Sequence, residues 1–372
     1  MKKNYFMMAA AATMLAACTQ TDFVNEIPAE APKAIEFSDA FINKTTRATE
    51  NNQGDYSQTF SHYHKDFCVW GYKNVKGGYS QVFNGKKVSV VNESYTYDGL
   101  VAWDKSATDY IFFAAAPQNH NWIFVEEKDE TFNPYFKTSV DLTGVEPNTN
   151  AEHQHALYQP GSPYDLLIAS ECKTTDFGSD VRLNFIHILS RLNIKVVRPQ
   201  EMTRDMYVYE VSVKNIKARG NFDESRAAAD PNGSFERWEI DADAPLDQDT
   251  YTADFGSEGV SIAPGGEKNL MQALIIPQAI DEEEVKINGD NCASLTQPYL
   301  YIKYGLKNED SGTSEVEVVE HYYNLAKAFS VAELPFNEGW ENTLTITVSS
   351  TAIGFTAKVS TWSAYNKSHI VQ

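Results

Sequence analysis

The sequence predicts an all-β protein in which two β-sandwich domains follow one another along the chain. Three observations lead to this prediction: short runs of β-branched and aromatic residues recur, amphipathic helical patterns are rare, and turn signals separate several of the runs. Those turn signals are Gly77-Gly78, Asn84-Gly85 and Asp98-Gly99. Because many short strands with frequent turns are typical of sandwiches, we place the domains at residues 34–179 and 180–372.

Strand-like runs dominate the first half of the chain. Ile35, Phe37 and, less regularly, Phe41 lie near a period of two, which predicts an opening strand. Further apolar or aromatic runs lie at residues 67–72, 87–91, 110–114 and 122–125. Residues 126–165 are polar and contain four prolines, so we expect one long surface loop there.

The second half repeats the pattern. Apolar positions alternate from Val181 onwards. Among the few helical patterns, the one that we expect to form a short helix lies near residues 325–331. Strands are predicted at residues 181–196, 207–216, 271–276, 299–304, 316–323, 344–348 and 354–362.

Composition excludes some classes of partner. The chain has 372 residues, with 51 acidic and 31 basic side chains and a formal net charge of -20. Nucleic acid is therefore not an expected partner, since no excess of Lys and Arg is available to neutralise phosphates. After residue 17 no apolar run reaches the roughly 18 residues that a membrane-spanning helix needs.

The N-terminus resembles a bacterial lipoprotein signal. Residues 1–17 contain two lysines and then an apolar run, and Leu15-Ala16-Ala17-Cys18 resembles the lipobox. We predict that Cys18 carries acyl chains, palmitate among them, and that residues 18–33 are a tether to the outer membrane. Position 19 is Thr, so the Asp that retains lipoproteins at the inner membrane is missing. The alternative is an ordinary signal peptide with an incidental cysteine.

Motifs of enzymatic chemistry are missing from the sequence, which has no nucleophile elbow, Walker A loop, dinucleotide fingerprint or His-Glu-x-x-His. We predict no enzyme, no cofactor and no metal. The pairs His62/His64 and His153/His155 could each form half a zinc site, but they lie in polar stretches without an evident carboxylate. We interpret them as surface side chains, and His187 as a buried histidine with a backbone partner.

Aromatic residues suggest an alternative function. If enough of them were exposed side by side, they could stack on sugars, and the protein would be a surface glycan-binding lipoprotein that does not polymerise. Core and cross-strand packing is the other explanation, because aromatic residues are common in strands. The candidates are Trp103, Trp122, Trp340, Tyr79, Tyr95 and Tyr97.

A series of short phrases, in order, resembles the fimbrillin family of Bacteroidales, the FimA/Mfa-like subunits of type V pili. The resemblance covers nearly the whole chain. After the lipobox it rests on the phrases at residues 35–48, 67–72, 110–117, 165–169, 183–190, 274–278, 339–348 and 359–362.

The resemblance implies two transthyretin-like Greek-key sandwiches and a cell-surface subunit of a fimbrium. It implies that an Arg-specific protease cuts after Arg47, so that the chain begins at Ala48 and loses the strand of Ile35, Phe37 and Phe41. A strand from another pilin subunit would then fill the groove, head to tail. The alternative is that Arg47 is an ordinary loop arginine that is never cut.

The C-terminal end is a candidate donor of that strand. The alternating residues on one face would be Phe355, Ala357, Val359 and Thr361. The alternative is a permanent last strand of the second sandwich, because a closing strand needs no partner. A host or bacterial surface ligand is a further expected partner.

Overall fold

The computed structural model describes residues 33–38, 40–42, 60, 64–92, 94–126, 132–149, 165–226, 237–241, 250–281, 298–307, 316–330, 333–349 and 353–361. Over these ranges the bounds of 22 strands and one short helix are described, so the predicted all-β class is confirmed. The strands are β1 Phe41–Ile42, β2 Asp66–Val75, β3 Gly78–Val91, β4 Ser94–Thr96, β5 Asp109–Ala116, β6 Ile123–Val125, β7 Tyr135–Asp141, β8 Leu167–Thr174, β9 Asn184–His187, β10 Ser190–Val197, β11 Asp205–Lys214, β12 Arg219–Asp223, β13 Trp238–Ile240, β14 Thr250–Asp254, β15 Val260–Ile262, β16 Glu267–Ile275, β17 Gln278–Asp281, β18 Tyr299–Lys307, β19 Val316–Asn324, β20 Glu333–Phe336, β21 Trp340–Val348 and β22 Ile353–Thr361.

The helix, α1, spans Leu325–Ala328 and lies within the range predicted for it. The side chain of Asn324 caps its start by accepting a hydrogen bond of 2.9 Å from the N–H of Lys327.

The largest sheet has seven strands in the order β1-β9-β8-β5-β2-β3-β4. Its central strand β5 is buried at every position, as an unbroken apolar run predicts. All pairs in this sheet are antiparallel except that of β1 and β9, where Phe41 and Ile42 lie parallel to Asn184 and Phe185.

The turn predicted at Asn84-Gly85 is wrong, because both residues lie inside β3. The pairing of β3 with β2 shifts at this point, just after the opposed residues Val69 and Lys86. Gly85 adopts a positive φ of 58°. Its conformational freedom therefore serves a β-bulge, a role for which glycine is as suitable as it is in a hairpin turn.

A four-stranded sheet, β13-β12-β7-β6, packs its apolar side chains into the same core. The single long loop expected at residues 126–165 is wrong in part, because β7 lies within it. Phe136, Thr138 and Val140 are buried at alternate positions of β7, which is the period of a half-buried strand.

A second core lies between the sheets β16-β10-β21-β22 and β14-β11-β18-β19, with β15 paired to β11 and a small sheet formed by β17 and β20. Strand β16 touches both cores. Leu274 belongs to the first core, whereas its neighbours Ala273 and Ile275 belong to the second.

The two cores overlap in sequence at the predicted join. Strand β9 pairs with β8, and β12 pairs with β7, so strands from both sides of residue 180 share sheets. The division at residues 179 and 180, like the transthyretin-like Greek-key arrangement, stays a prediction.

Candidate functional site

The opening segment, described at residues 33–38 and 40–42, lies in a groove between two stretches of backbone that are far apart in sequence. On one side the N–H of Ile35 donates to the carbonyl of Val101 over 2.7 Å, and that of Trp103 donates to Lys33 over 2.9 Å. On the other side Val181 donates to the carbonyl of Glu36 over 2.7 Å and accepts from the N–H of Ser38 over 3.1 Å. The segment is therefore bonded along both of its edges.

The side chains of the segment are part of the first core. Ile35, Phe37 and Ala40 are buried, and the hydroxyl of Tyr97 donates to the carbonyl of Ile35 over 2.6 Å. The backbone here forms isolated β-bridges, Ala34 with Ala102 and Phe37 with Val181, and not the continuous strand predicted for this stretch. For Phe41 the structure describes the backbone, which pairs with Asn184.

Phe37 fills a pocket made of four aromatic rings. The ring centroids of Phe67, Phe83, Tyr97 and Phe112 lie 5.8 to 6.0 Å from that of Phe37. Three of the four contacts are edge-to-face, the geometry that aromatic pairs prefer. The segment is thus attached by its backbone and by buried side chains, of which Phe37 is the largest.

Gly71 makes room for two of these rings. A Cβ atom at this position would lie 2.8 Å from Cδ2 of Phe83 and 2.9 Å from Cδ1 of Phe112. Both distances are shorter than carbon atoms tolerate without displacement. Glycine in β2 therefore allows the pocket of Phe37 to form, as expected where side chains closely approach a strand backbone.

Phe60 links the segment to a buried polar cluster. Its N–H donates to the carbonyl of Ala40 over 2.7 Å, and its ring stacks on Phe185 with centroids 4.6 Å apart. On its other side it stacks on the ring of His64 at 4.9 Å.

His64, Asp165 and His187 form that cluster. Nε2 of His64 lies 3.0 Å from Oδ2 of Asp165, and Nδ1 of His187 lies 2.8 Å from Oδ1 of the same carboxylate. All three side chains are buried. Burial opposes ionisation of Asp165, but charge and hydrogen bonds from the two histidines outweigh it and hold the pKa of this carboxyl well below its ordinary value. Burial lowers the pKa of His187, although Asp165 acts against this effect.

Two sequence interpretations are corrected here. His64 is not a surface side chain, and its carboxylate partner is Asp165, which lies far away in the sequence. His187 is buried as predicted, but the partner at 2.8 Å is that carboxylate and not the backbone. The missed signal is an acidic residue directly before the apolar run of β8. His62, His153 and His155 lie outside the described residues.

At the opposite end of the chain, β22 is an edge strand. It pairs with β21 over nine residues and has no second neighbour among the described strands. Phe355 and Ala357 pack partly against the second core, whereas the side chain of Val359 is 43% exposed. For Thr361 the structure describes only the backbone.

The aromatic residues considered for glycan binding are not gathered into a platform. Trp103 is buried, with its ring centroid 4.7 Å from that of Tyr110. The other five are half-buried: Trp122 packs on Phe136, Tyr79 on Phe132, Tyr97 on Phe83 and Tyr95 on Phe67, while Trp340 begins β21. These contacts match the alternative of core and cross-strand packing.

Within the described ranges no group of three or more His, Cys, Asp or Glu side chains is placed to hold a metal ion. In the same part of the chain no helix has the length and apolar character needed to cross a bilayer. Cys68 is buried, and burial raises the pKa of its thiol to about 11. Cys18, Arg47 and Ala48 lie outside the described residues.

Comparison with known proteins assigns the chain to a family. A family model described as fimbrillin-like matches residues 46–362, which is most of the chain. The chain belongs to the fimbrillin-like family. Comparison with curated proteins finds no match.

Several solved structures are similar. A fimbrial protein from Bacteroides vulgatus is 15% identical, with a TM-score of 0.53, and the match covers 89% of this chain and all of that one. A protein from Bacteroides ovatus assigned to cell adhesion is 14% identical, with a TM-score of 0.46 and coverage of 91% and 100%. The tip fimbrial protein Mfa3 from Porphyromonas gingivalis is 9% identical, with a TM-score of 0.37 and coverage of 82% and 96%. The first of these shows a shared fold.

Membership of the fimbrillin-like family identifies the chain as a pilus-type adhesive subunit of the cell surface and not as an enzyme. The family match begins at residue 46, so the segment at 33–42 lies outside it.

Proposed function

We propose that this fimbrillin-like chain is exported as an outer-membrane lipoprotein through Cys18, is cut between Arg47 and Ala48, and assembles into a pilus by donor-strand exchange. The observation that carries the proposal is that the opening segment is hydrogen-bonded along both of its edges. A segment that is bonded on both sides can be replaced by any extended strand that satisfies the same backbone groups.

Removal of the segment would leave a groove with two open edges. The carbonyl of Val101 and both backbone groups of Val181 would lose their partners, and the pocket of Phe37 would empty. Unpaired buried backbone groups and an uncovered aromatic pocket are both costly, so the cut subunit would favour an incoming strand. A contact of this kind between one end of a subunit and the groove of the next does not close, and it therefore grows into a filament.

The position of Arg47 supports this order of events. It follows the last described residue of the segment, Ile42, and precedes Phe60, which stays attached to the core. No other arginine occurs earlier in the sequence. A cut at this point would separate Cys18 and the segment together from the rest of the chain.

The experiment is limited digestion of the full precursor with an Arg-specific protease. We expect a new N-terminus at Ala48 by mass spectrometry, loss of residues 33–42 from the folded subunit, and filaments by electron microscopy. Arg47→Lys is the matched control, since it keeps the charge but removes the cleavage site, and it should remain monomeric. Cleavage elsewhere with Arg47 intact, or a cut subunit that keeps its segment indefinitely, would contradict the proposal.

A further inference from the structure

We propose that His64, Asp165 and His187 form a proton-operated latch, which holds residues 40–42 of the opening segment near neutral pH and releases them when both histidines are protonated. The inference adds regulation to the proposed function, and it rests on that function only for its consequence in assembly. The latch itself is a property of the uncut chain, so the latch and the proposed function can be tested separately.

The cluster is connected to the opening segment through Phe60. The N–H of Phe60 donates to the carbonyl of Ala40 over 2.7 Å, and its carbonyl accepts from the N–H of His64 over 2.9 Å. The rings of Phe60 and His64 are stacked, with centroids 4.9 Å apart and planes at 24°. The position of His64 therefore determines the position of the group that binds Ala40.

Strand β9 connects His187 to the same end of the segment. Ile42 pairs with Phe185, and His187 lies two residues further along the strand. Because side chains alternate in a strand, Phe185 and His187 point to the same side of β9, where the ring of Phe185 stacks on that of Phe60. Asp165 contacts both histidines, so it holds the two attachments of the segment together.

One carboxylate can neutralise one imidazolium but not two. All three side chains of the cluster are at most 2% exposed, so water does not screen their charges. With both histidines protonated the cluster would carry a net positive charge inside the core. A buried charge without a counter-ion is costly, so the second proton favours separation of the groups.

The surroundings of the cluster oppose the second proton as well. The charged or titratable groups that act on His187 are Asp165, His64 and Arg191, and those that act on Asp165 are the two histidines. The positive charge of Arg191, which is itself paired with Glu341, disfavours protonation of His187. Asp165 stays ionised in mild acid, because the histidines hold its pKa well below its ordinary value.

His64 is the member of the cluster that can move away with the least disruption. It precedes β2, which begins at Asp66, whereas His187 lies in β9, which has β8 and β1 on its two sides. Departure of His64 would remove its stack on Phe60 and weaken the bond from Phe60 to Ala40. The segment would then lose an attachment at the end nearest to the proposed cut.

The direction of the pH effect follows from the burial of His187. Burial lowers its pKa from 6.5, so below that pH the latched state binds fewer protons than the released state. The released state is therefore favoured as the pH falls below about 6.5. One proton changes the equilibrium between the two states by at most about tenfold per pH unit.

The test is hydrogen exchange of the full, uncut chain at pH 7.5 and pH 5.5, measured by mass spectrometry. The results are expressed as protection factors, which correct for the intrinsic effect of pH on exchange. We expect the fragments that contain Phe41, Ile42 and Phe60 to lose protection by roughly tenfold at the lower pH. The fragment of β5, at the buried centre of the same sheet, should change by less than about twofold.

Two variants remove the second proton without removing the donor to Asp165. His64→Gln retains an N–H near the position of Nε2, and His187→Asn retains one near that of Nδ1. Each leaves a single histidine whose charge the carboxylate can neutralise, so the loss of protection at pH 5.5 should disappear. His120→Gln is the matched control, since Nε2 of His120 faces Oγ1 of Thr138 at 2.6 Å, and this variant should respond like the parent.

Equal protection at both pH values would overturn the latch. So would an equal loss of protection in β5, since that result describes unfolding of the whole sheet. A parental response in His64→Gln or in His187→Asn would overturn it too, and if one of the two does not fold, the other decides.

The chain cut after Arg47 then separates the latch from the proposed function. Departure of the opening segment, followed by the mass of the folded subunit, should be faster at pH 5.5 than at pH 7.5. If the uncut chain responds to pH but the cut chain keeps its segment at both pH values, the latch stands and the proposed function fails.

Discussion

The ring of Phe37 stands edge-on to the ring of Phe112, with centroids 6.0 Å apart and planes at 83°. Phe112 belongs to β5, the buried centre of the largest sheet, whereas Phe37 belongs to a segment that the proposed cut would remove. A contact of this kind makes the folded core depend on a removable residue. The same contact would stabilise any aromatic side chain that took the place of Phe37.

The first prediction tests how much the segment stabilises the uncut chain. Phe37→Ala should lower the free energy of unfolding by about 3–5 kcal/mol, the range found when a buried Phe is truncated. The measurement is equilibrium urea denaturation followed by tryptophan fluorescence. Glu36→Ala, at the exposed neighbouring position, is the control and should change the stability by less than about 0.5 kcal/mol. Equal effects at both positions would mean that the segment is not packed as described.

The second prediction concerns the space that Gly71 leaves. Gly71→Ala places a methyl group against Phe83 and Phe112, and overpacking of this kind costs about 1–3 kcal/mol. Because these rings form the pocket, the variant should also release the opening segment sooner after cleavage, which hydrogen exchange of residues 33–38 would detect. Gly78→Ala is the matched control, since its nearest atom would be the carbonyl oxygen of Val75 at 3.7 Å. A Gly71→Ala protein as stable as this control would contradict the prediction.

Local patterns explain which elements could be predicted. The apolar run of β5 and the alternation of Leu344, Ile346 and Val348 are properties of neighbouring residues, and both strands form as expected. Strand β7 was missed because Pro134 and polar flanking residues conceal a period of two that lasts only a few positions. The turn predicted at Asn84-Gly85 was wrong because the same two residues are suited to a hairpin turn and to a β-bulge.

Local sequence patterns do not show which distant residues come into contact. His64, Asp165 and His187 come together only when three separate parts of the chain pack against one another. The residues next to His64 in the sequence are polar, and they therefore predicted an exposed side chain. In the same way, the period of Ile35 and Phe37 predicts a strand but not that it lies between Val101 and Val181.

The third prediction is a loss of stability below the ordinary pKa of histidine. Burial lowers the pKa of His187 from 6.5, so the folded chain binds fewer protons than the unfolded chain below that pH. Its contribution to stability is therefore complete above about pH 6.5 and falls as the pH drops below it. Asp165 acts in a lower window: its lowered pKa stabilises the fold above about pH 3.8, and this is lost as the pH falls further.

The measurement is urea denaturation at intervals between pH 7.5 and pH 5. His187→Asn removes the titration while its amide can still donate to Asp165, so stability should fall less steeply in the variant. The slopes should differ by at most about 1.4 kcal/mol per pH unit, the limit for one proton. The charged or titratable groups that act on His187 are Asp165, His64 and Arg191. Burial lowers the pKa of His120 to about 4, so His120 adds the same dependence of stability on pH to both proteins. Identical slopes would show that His187 does not titrate in this range.

The fourth prediction concerns Arg191 and Glu341, which face each other across β10 and β21 and form a buried ion pair. Glu341 also accepts a hydrogen bond of 2.5 Å from Asn193. Arg191→Met would remove the cation that pairs with the buried carboxylate of Glu341, which costs about 3–5 kcal/mol. Adding Glu341→Gln removes the buried negative charge, while the amide oxygen can still accept from Asn193. The double variant should therefore be more stable than Arg191→Met alone.

The exposed pair Lys195 and Glu267, 3.3 Å apart on the neighbouring strands β10 and β16, provides the control. The corresponding changes, Lys195→Met and Glu267→Gln, should each cost less than about 1 kcal/mol, because solvent screens both charges. Thermal denaturation of the two sets decides the question. Additive costs for Arg191→Met and Glu341→Gln would mean that the pair contributes by packing alone. If the double variant is instead more stable than Arg191→Met alone, the main contribution of each residue is to neutralise the buried charge of the other.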